Sequence, residues 1–207
     1  TFLAARRFLS LTALAECDIV GKTKGENDME LETKRLILRP WTLEDAEELF
    51  RYAKDPEVGP AAGWAPHTSV ENSREIIKTV LSEEGTFAVV RKETGLPVGS
   101  AGYFQTKAQG SETGEMEIGY WIGKPYWGKG YIPEAAREMI RYCFEALHCP
   151  RVWCSHFDGN EKSKRCMEKC GFTYHHTEKD TEWEVTGEIK TIHFECLTRE
   201  DWERAQK

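Results

Sequence analysis

Three strand-patterned runs follow one another with little between them: Thr86–Arg91 (TFAVVR), Pro97–Gln105 (PVGSAGYFQ) and Glu115–Ile122 (EMEIGYWI). Turns built on Glu93-Thr94-Gly95 and on Gln109–Gly114 are too short to cross a sheet, so the runs pair as an antiparallel ladder. The next elements obey the opposite constraint. A helical pattern over Pro133–Leu147, with Pro133 suited to a first turn, separates the third run from a further strand, Arg151–Phe157 (RVWCSHF). A strand–helix–strand unit returns its second strand parallel to its first. Hairpins and a crossover sharing one strand predict an α/β (α+β) chain: a mixed, mostly antiparallel central sheet with helices on both faces.

The flanks fit that frame. Arg35–Arg39 alternates and is stopped by Pro40, as an opening strand would be. Thr42-Leu43-Glu44-Asp45 starts one helix through Ala46, Leu49, Phe50 and Ala53, and Thr68-Ser69-Val70-Glu71 starts another through Ile76, Ile77, Val80 and Leu81. Residues 55–67 (DPEVGPAAGWAPH) read as a loop. Asn160 caps a short helix that Gly171 stops, and Phe172–His175 and Ile189–Leu197 read as late strands.

Residues 1–28 differ in kind: an Ala/Leu-rich apolar start, then the polar Gly21–Asp28. Paired Arg6 and Arg7 before that run resemble an export signal, but the run is too short to span a membrane. The expected division is a leader or appended extension over 1–28 and one domain over 29–207. With 40% hydrophobic and 30% charged residues, the chain has the composition of a globular protein. A formal net charge of −7 argues against nucleic acid as the partner, since phosphate neutralisation needs a basic footprint. Seven cysteines without CxxC pairs predict free thiols in a reducing cytosol and no metal. The late strands allow either a monomer or a homodimer.

The chemistry-bearing stretch is PYWGKGYIPEA, Pro125–Ala135. Gly128 and Gly130 lie between the third ladder strand and the N-terminus of the next helix. Exposed backbone N–H groups and the positive end of the helix dipole suit a pyrophosphate there, and glycines let it approach closely. A tight structural turn would use the same two glycines. A Walker A loop needs four residues between its glycines and a Lys-Ser/Thr ending, and a dinucleotide fingerprint needs glycine where Pro133 stands.

Taken with EIGYW upstream and Asn160–Phe172 (NEKSKRCMEKCGF) downstream, this order resembles the GNAT superfamily of acyl-CoA N-acyltransferases. More narrowly it resembles the ribosomal-protein-alanine acetyltransferases, whose opening strand Thr33–Pro40 (TKRLILRP) also looks like. The likeness covers roughly Met29 to Trp202. It implies an acetyl-CoA site in a V-shaped opening between the Glu115–Ile122 and Arg151–Phe157 strands. In that picture the backbone of Trp127, Gly128, Lys129, Gly130, Tyr131 and Ile132 holds the pyrophosphate, and Asn160 meets the pantetheine arm. Ile132 stands where the family usually has a small residue.

The reaction so implied is direct attack of a primary amine, on a small molecule or a peptide N-terminus, on the thioester. Such an amine has a pKa near 10, so a base is needed. Glu117 matches the family's strand glutamate and is the expected base; an edge carboxylate in a salt bridge is the structural alternative. His156 and His67 are alternative bases. Backbone N–H groups near Gly119–Trp121 would steady the oxyanion. Many relatives place a tyrosine acid where this chain has Met167; the branch it most resembles has a serine at Ser163, the candidate donor to the leaving thiolate. Trp64, His67 and Trp121 are expected to wall the acceptor side. A non-catalytic acyl-CoA-binding or sensing module of the same fold is the competing class.

Overall fold

A computed structural model describes residues 29–206, so the expected leader at 1–28 lies outside the described residues. The strands are β1 (Leu31–Glu32), β2 (Leu36–Arg39), β3 (Thr86–Arg91), β4 (Pro97–Gln105), β5 (Met116–Ile122), β6 (Arg151–Phe157), β7 (Thr173–Trp183) and β8 (Glu188–Thr198). They form one sheet in the order β1-β2-β3-β4-β5-β6-β8-β7. Every neighbouring pair is antiparallel except β5 with β6, which is parallel, as the crossover requires.

Helices cover both faces. On one face α4 (Tyr131–Glu145) and α5 (Glu161–Lys169) pack Ala135, Met139, Ile140, Phe144 and Met167 against Leu36, Val89, Ile118 and Val152. On the other, α1 (Ala46–Ala53), α2 (Gly59–Ala62) and the turns after α3 (Val70–Ile76) pack Leu49, Val58, Ile77 and Leu81 against Trp121, Trp153 and Phe194. Strand alternation explains the division: Val152 and Cys154 face α4, while Trp153 between them faces the opposite core. Ser69 caps α3 by accepting from the Asn72 N–H at 3.0 Å.

Four expectations need correction. The 55–67 loop contains α2, a single turn with Pro60 near its start, ended by Gly63 at φ +91°. Gly63 is fixed because the Trp183 indole N–H donates to its carbonyl at 2.7 Å, leaving no room for a Cβ. The first late strand runs much further than predicted, to Trp183, because β7 is polar on both sides and shows no period-2 signal, whereas β8 is found within one residue of its expected bounds. Finally, β1 and α6 (Arg199–Ala205) were not anticipated; Thr198 caps α6 by accepting from the Asp201 N–H at 3.1 Å. Among the described residues no helix is long and apolar enough to cross a membrane.

One clamp joins the two halves of the sheet. Glu115, 1% exposed, accepts hydrogen bonds from Arg151 Nε at 2.9 Å and Trp153 Nε1 at 2.6 Å, tying the start of β5 to β6. Removing one partner of a buried, charge-assisted network strands the others. Glu115→Ala is expected to lower unfolding stability by about 3 kcal/mol, measured as a reduced urea midpoint at constant m-value.

Candidate active site

The site begins where pairing ends. β5 pairs with β4 from Met116 to Ile122, but with β6 only at Met116↔Val152 and Glu117↔Trp153. β6 is meanwhile held along its whole length by β8, from Arg151↔Thr198 to Phe157↔Ile192. From Ile118 onward the two strands part, and the backbone groups of β5 on that edge face a wedge instead of a neighbouring strand. The wedge opens into a cleft of about 940 Å³ lined by Tyr120, Trp121, Ile122, Trp127, Gly128, Gly130–Pro133 and Asn160–Ser163.

At the mouth, β5 runs through a short turn at Lys124–Tyr126 into the glycine loop. Gly128 and Gly130 have φ of +74° and +76°. A Cβ on Gly128 would meet nothing within 4 Å, and one on Gly130 only the Arg35 guanidinium at 3.5 Å. Left-handed backbone, not crowding by neighbours, therefore calls for glycine here, and the space over the loop stays open. Gly130 is the N-cap of α4 and offers no side-chain acceptor. The N–H groups of Tyr131 and Ile132, in the first turn, have no intrahelical acceptor, an arrangement that suits an anion. Arg35 braces the loop: its Nη1 donates to the Lys129 carbonyl at 3.1 Å, its Nε to Glu134 at 2.6 Å, and its guanidinium lies 4.5 Å over the Tyr131 ring. Lys162 covers the Trp127 ring at 3.5 Å on the other side of the mouth. Ile132 is 8% exposed and packs in the α4 core, so much of its bulk is taken up there although it still borders the cleft.

A family profile described as "Acetyltransferase (GNAT) domain" matches residues 35–173. The chain belongs to the GNAT acetyltransferase family. The N-acetyltransferase p20 of Bacillus licheniformis, itself uncharacterized, is 34% identical over 175 residues, spanning 82% of this chain and 97% of the relative. An acetyltransferase (GNAT family) from Bacillus anthracis superposes with a TM-score of 0.73 at 22% identity, covering 83% of this chain and 99% of that one. The structure of AAC(6')-Ib in complex with ribostamycin and coenzyme A gives 0.65 at 20% identity, covering 84% and 99%. The two structures share the fold.

Within this GNAT domain the expected site residues fall into two groups. Trp127 to Ile132, Trp121, Asn160 and Ser163 converge on the cleft, with Lys129 set in the loop between its glycines. Asn160 does two jobs: its Oδ1 accepts from the Ser163 N–H at 3.1 Å, capping α5, and its Nδ2 donates to the Ala61 carbonyl of α2 at 3.1 Å. Ser163 is buried at the cleft wall, with Tyr120 Oη 3.3 Å from its Oγ.

Glu117, Trp64 and His67 do not line the cleft. Glu117, 2% exposed, lies at the last paired position of the fork and accepts from Ser155 Oγ at 2.6 Å and Thr106 Oγ1 at 3.3 Å. It is a buried carboxylate between hydroxyls, not the edge group of the structural alternative. Trp64 stands edge-on behind Trp121 at 5.6 Å, so it supports the wall without forming it. The Trp64 ring lies 5.2 Å from His67, whose Nδ1 is 2.8 Å from Ser73 Oγ. His156 is also engaged at both nitrogens, with the Phe157 carbonyl at 2.9 Å and Glu195 Oε1 at 3.1 Å. Burial opposes its charge, but those partners prevail and its pKa is raised. Two cleft features had not been named as site groups: Tyr120, and the stretch from Pro56 to Ala62 that leads into and includes α2. The alternation of β5 puts Tyr120 on the α5 side, and that was the available signal. Among the described residues no group of His, Cys, Asp or Glu is arranged to hold a metal ion.

Burial lowers the His67 pKa to about 4. The unfolded chain takes up this proton near pH 6.5 and the folded chain does not. His67 therefore costs no stability above pH 6.5, and stability is lost as pH falls from there toward 4. His67→Gln is expected to flatten that part of the stability–pH curve while leaving the pH profile of turnover unchanged, as read by denaturation and initial-rate series over the same pH range.

Proposed function

We propose that the chain transfers an acetyl group from acetyl-CoA to a primary amine by direct attack, the acceptor being a small molecule or a peptide or protein N-terminus. The observation that carries this reading is the fork: β5 leaves β6 after Glu117, and the uncapped N-terminus of α4 stands at the mouth of the opening. Acetyl-CoA, when bound, supplies an activated thioester. The backbone of Trp127–Ile132, with Lys129 and Lys162 nearby, offers the donors and charge a pyrophosphate needs, and Asn160 borders the path of a pantetheine arm. The open edge of β5 around Gly119–Trp121 presents N–H groups to a carbonyl oxygen.

The amine must lose a proton, and Glu117 is the proposed base. Its burial beneath the fork requires that the proton reach it through water, and the hydroxyls of Ser155 and Thr106 hold the carboxylate in place. Ser163 is the proposed hydrogen-bond donor to the departing sulfur, and Trp121 the proposed acceptor wall. The likeness to ribosomal-protein-alanine acetyltransferases makes a peptide N-terminus an acceptor to test beside small amines. Six described cysteines are free thiols, in keeping with a reducing cytoplasm.

Release of coenzyme A, followed with acetyl-CoA and a panel of amines and N-terminal peptides, tests the reading. Turnover is expected; tight acetyl-CoA binding with no turnover on any member would instead indicate a binding or sensing module. In an active pairing, Glu117→Gln is expected to lower kcat about 100-fold and to shift its pH profile. An unshifted profile removes Glu117 as base. Gly130→Val forces a β-branched residue into left-handed backbone, a cost of about 1–2 kcal/mol, on the side meant for the ligand. Coenzyme A affinity measured by calorimetry should fall at least about tenfold.

A further inference from the structure

The Tyr120 phenol lines the cleft and has no part in the roles above. It reaches the cleft wall from β5, where Tyr120 is paired to Ala101, so its backbone is held rigidly. Its Oη lies 3.3 Å from Ser163 Oγ and 3.4 Å from the Ser163 carbonyl oxygen. Ser163 is equally fixed, in the first turn of α5 with its N–H given to Asn160. Only the two hydroxyl protons are left to choose a direction.

Two arrangements satisfy these three oxygens, with the Cys166 thiol a further hydrogen-bond neighbour of the phenol. In one, the phenol donates to the Ser163 carbonyl and accepts from the Ser163 hydroxyl. In the other, the phenol donates to Ser163 Oγ, and the serine proton is released toward the cleft. The carbonyl and Oγ are at nearly equal distances from the phenol, so passing between them takes a rotation of two O–H bonds and no movement of heavy atoms. An acceptor in the cleft, above all an anion, favours the second arrangement. Burial raises the phenol's pKa well above its ordinary value, so Tyr120 keeps its proton and remains a donor across the neutral range.

We propose that Tyr120 is a positioning residue which turns the Ser163 hydroxyl toward a thiolate in the cleft, so that two hydroxyls in series stabilise the sulfur that leaves. This rests on the reading of the cleft as a coenzyme A site. The C–S bond electrons stay on sulfur, and neither hydroxyl has to give up its proton. The chain has Met167 where many relatives carry a tyrosine acid, and the phenol arrives instead from the strand opposite that helix.

The test uses coenzyme A itself and needs no acceptor. The thiol pKa of bound coenzyme A is read from thiolate ultraviolet absorbance, as a difference against the same protein without ligand. In the wild-type protein it should lie below the free value of about 8.5. Tyr120→Phe should raise it by about one unit, Ser163→Ala by at least as much, and the double variant by no more than Ser163→Ala alone. Ser163→Thr, which keeps a hydroxyl, should restore most of the shift. An unchanged pKa in either Tyr120→Phe or Ser163→Ala overturns the proposal, and the serine arm decides if Tyr120→Phe fails to fold. Additive effects of the two substitutions overturn action through Ser163. Failure of the wild-type protein to bind coenzyme A overturns the cleft reading, and this inference with it.

Discussion

The site depends on β5 and β6 staying together for two residues and then separating. Backbone groups of a buried strand are normally paired, because an unpaired buried N–H or C=O costs free energy comparable to a lost hydrogen bond. A fork inside a sheet is therefore unstable unless something holds each arm. Here β4 holds β5 over its full length and β8 holds β6 over its full length, so neither arm needs the other. Glu115 fastens the closed end through Arg151 and Trp153. The open edge of β5 is then available to a ligand, and the helix at its mouth adds donors without a cap of their own.

The same geometry recasts the two glutamates that alternate along the start of β5. Both point into the α1–α3 side of the sheet, and both are spent on β6: Glu115 on its Arg and Trp, Glu117 on its Ser155. A carboxylate this deeply buried is tolerable only if hydrogen-bonded. Glu115, with a guanidinium beside it, suits a structural clamp. Glu117, with two hydroxyls among its partners, suits proton chemistry. On the proposed reading, position along one strand separates the two tasks.

Much of this was legible in the residues, and where it was not the reasons are physical. The ladder of TFAVVR, PVGSAGYFQ and EMEIGYWI, the crossover, the glycine loop and the Asn160 cap are local signals with short-range causes, and each is found where the pattern put it. β7 was truncated because HHTEKDTE is polar on both sides of its strand, and its extent is set by pairing with β8. α2 was hidden in a Pro- and Gly-rich stretch whose one helical turn is held by Trp183, far away in the chain. Trp64 and His67 lie in the right loop but turn inward, a matter of packing against Trp121 that no spacing encodes. The bracing of the glycine loop by Arg35 is likewise long-range: the arginine belongs to the opening strand.

Asn160 links two parts of the cleft. Its carbonyl end caps α5 and so fixes the turn that carries Ser163; its amide end holds the Ala61 carbonyl of α2, the segment that walls the other part of the cleft. Aspartate would cap the helix as well as asparagine does, but it has no donor for a carbonyl and would leave α2 untied. The requirement for an amide at this position thus comes from the cleft as a whole and not from the helix it begins. The Asn160 amide has two N–H groups, so on the proposed reading a ligand arm takes one while the other keeps Ala61, and a single side chain touches both parts of the cleft.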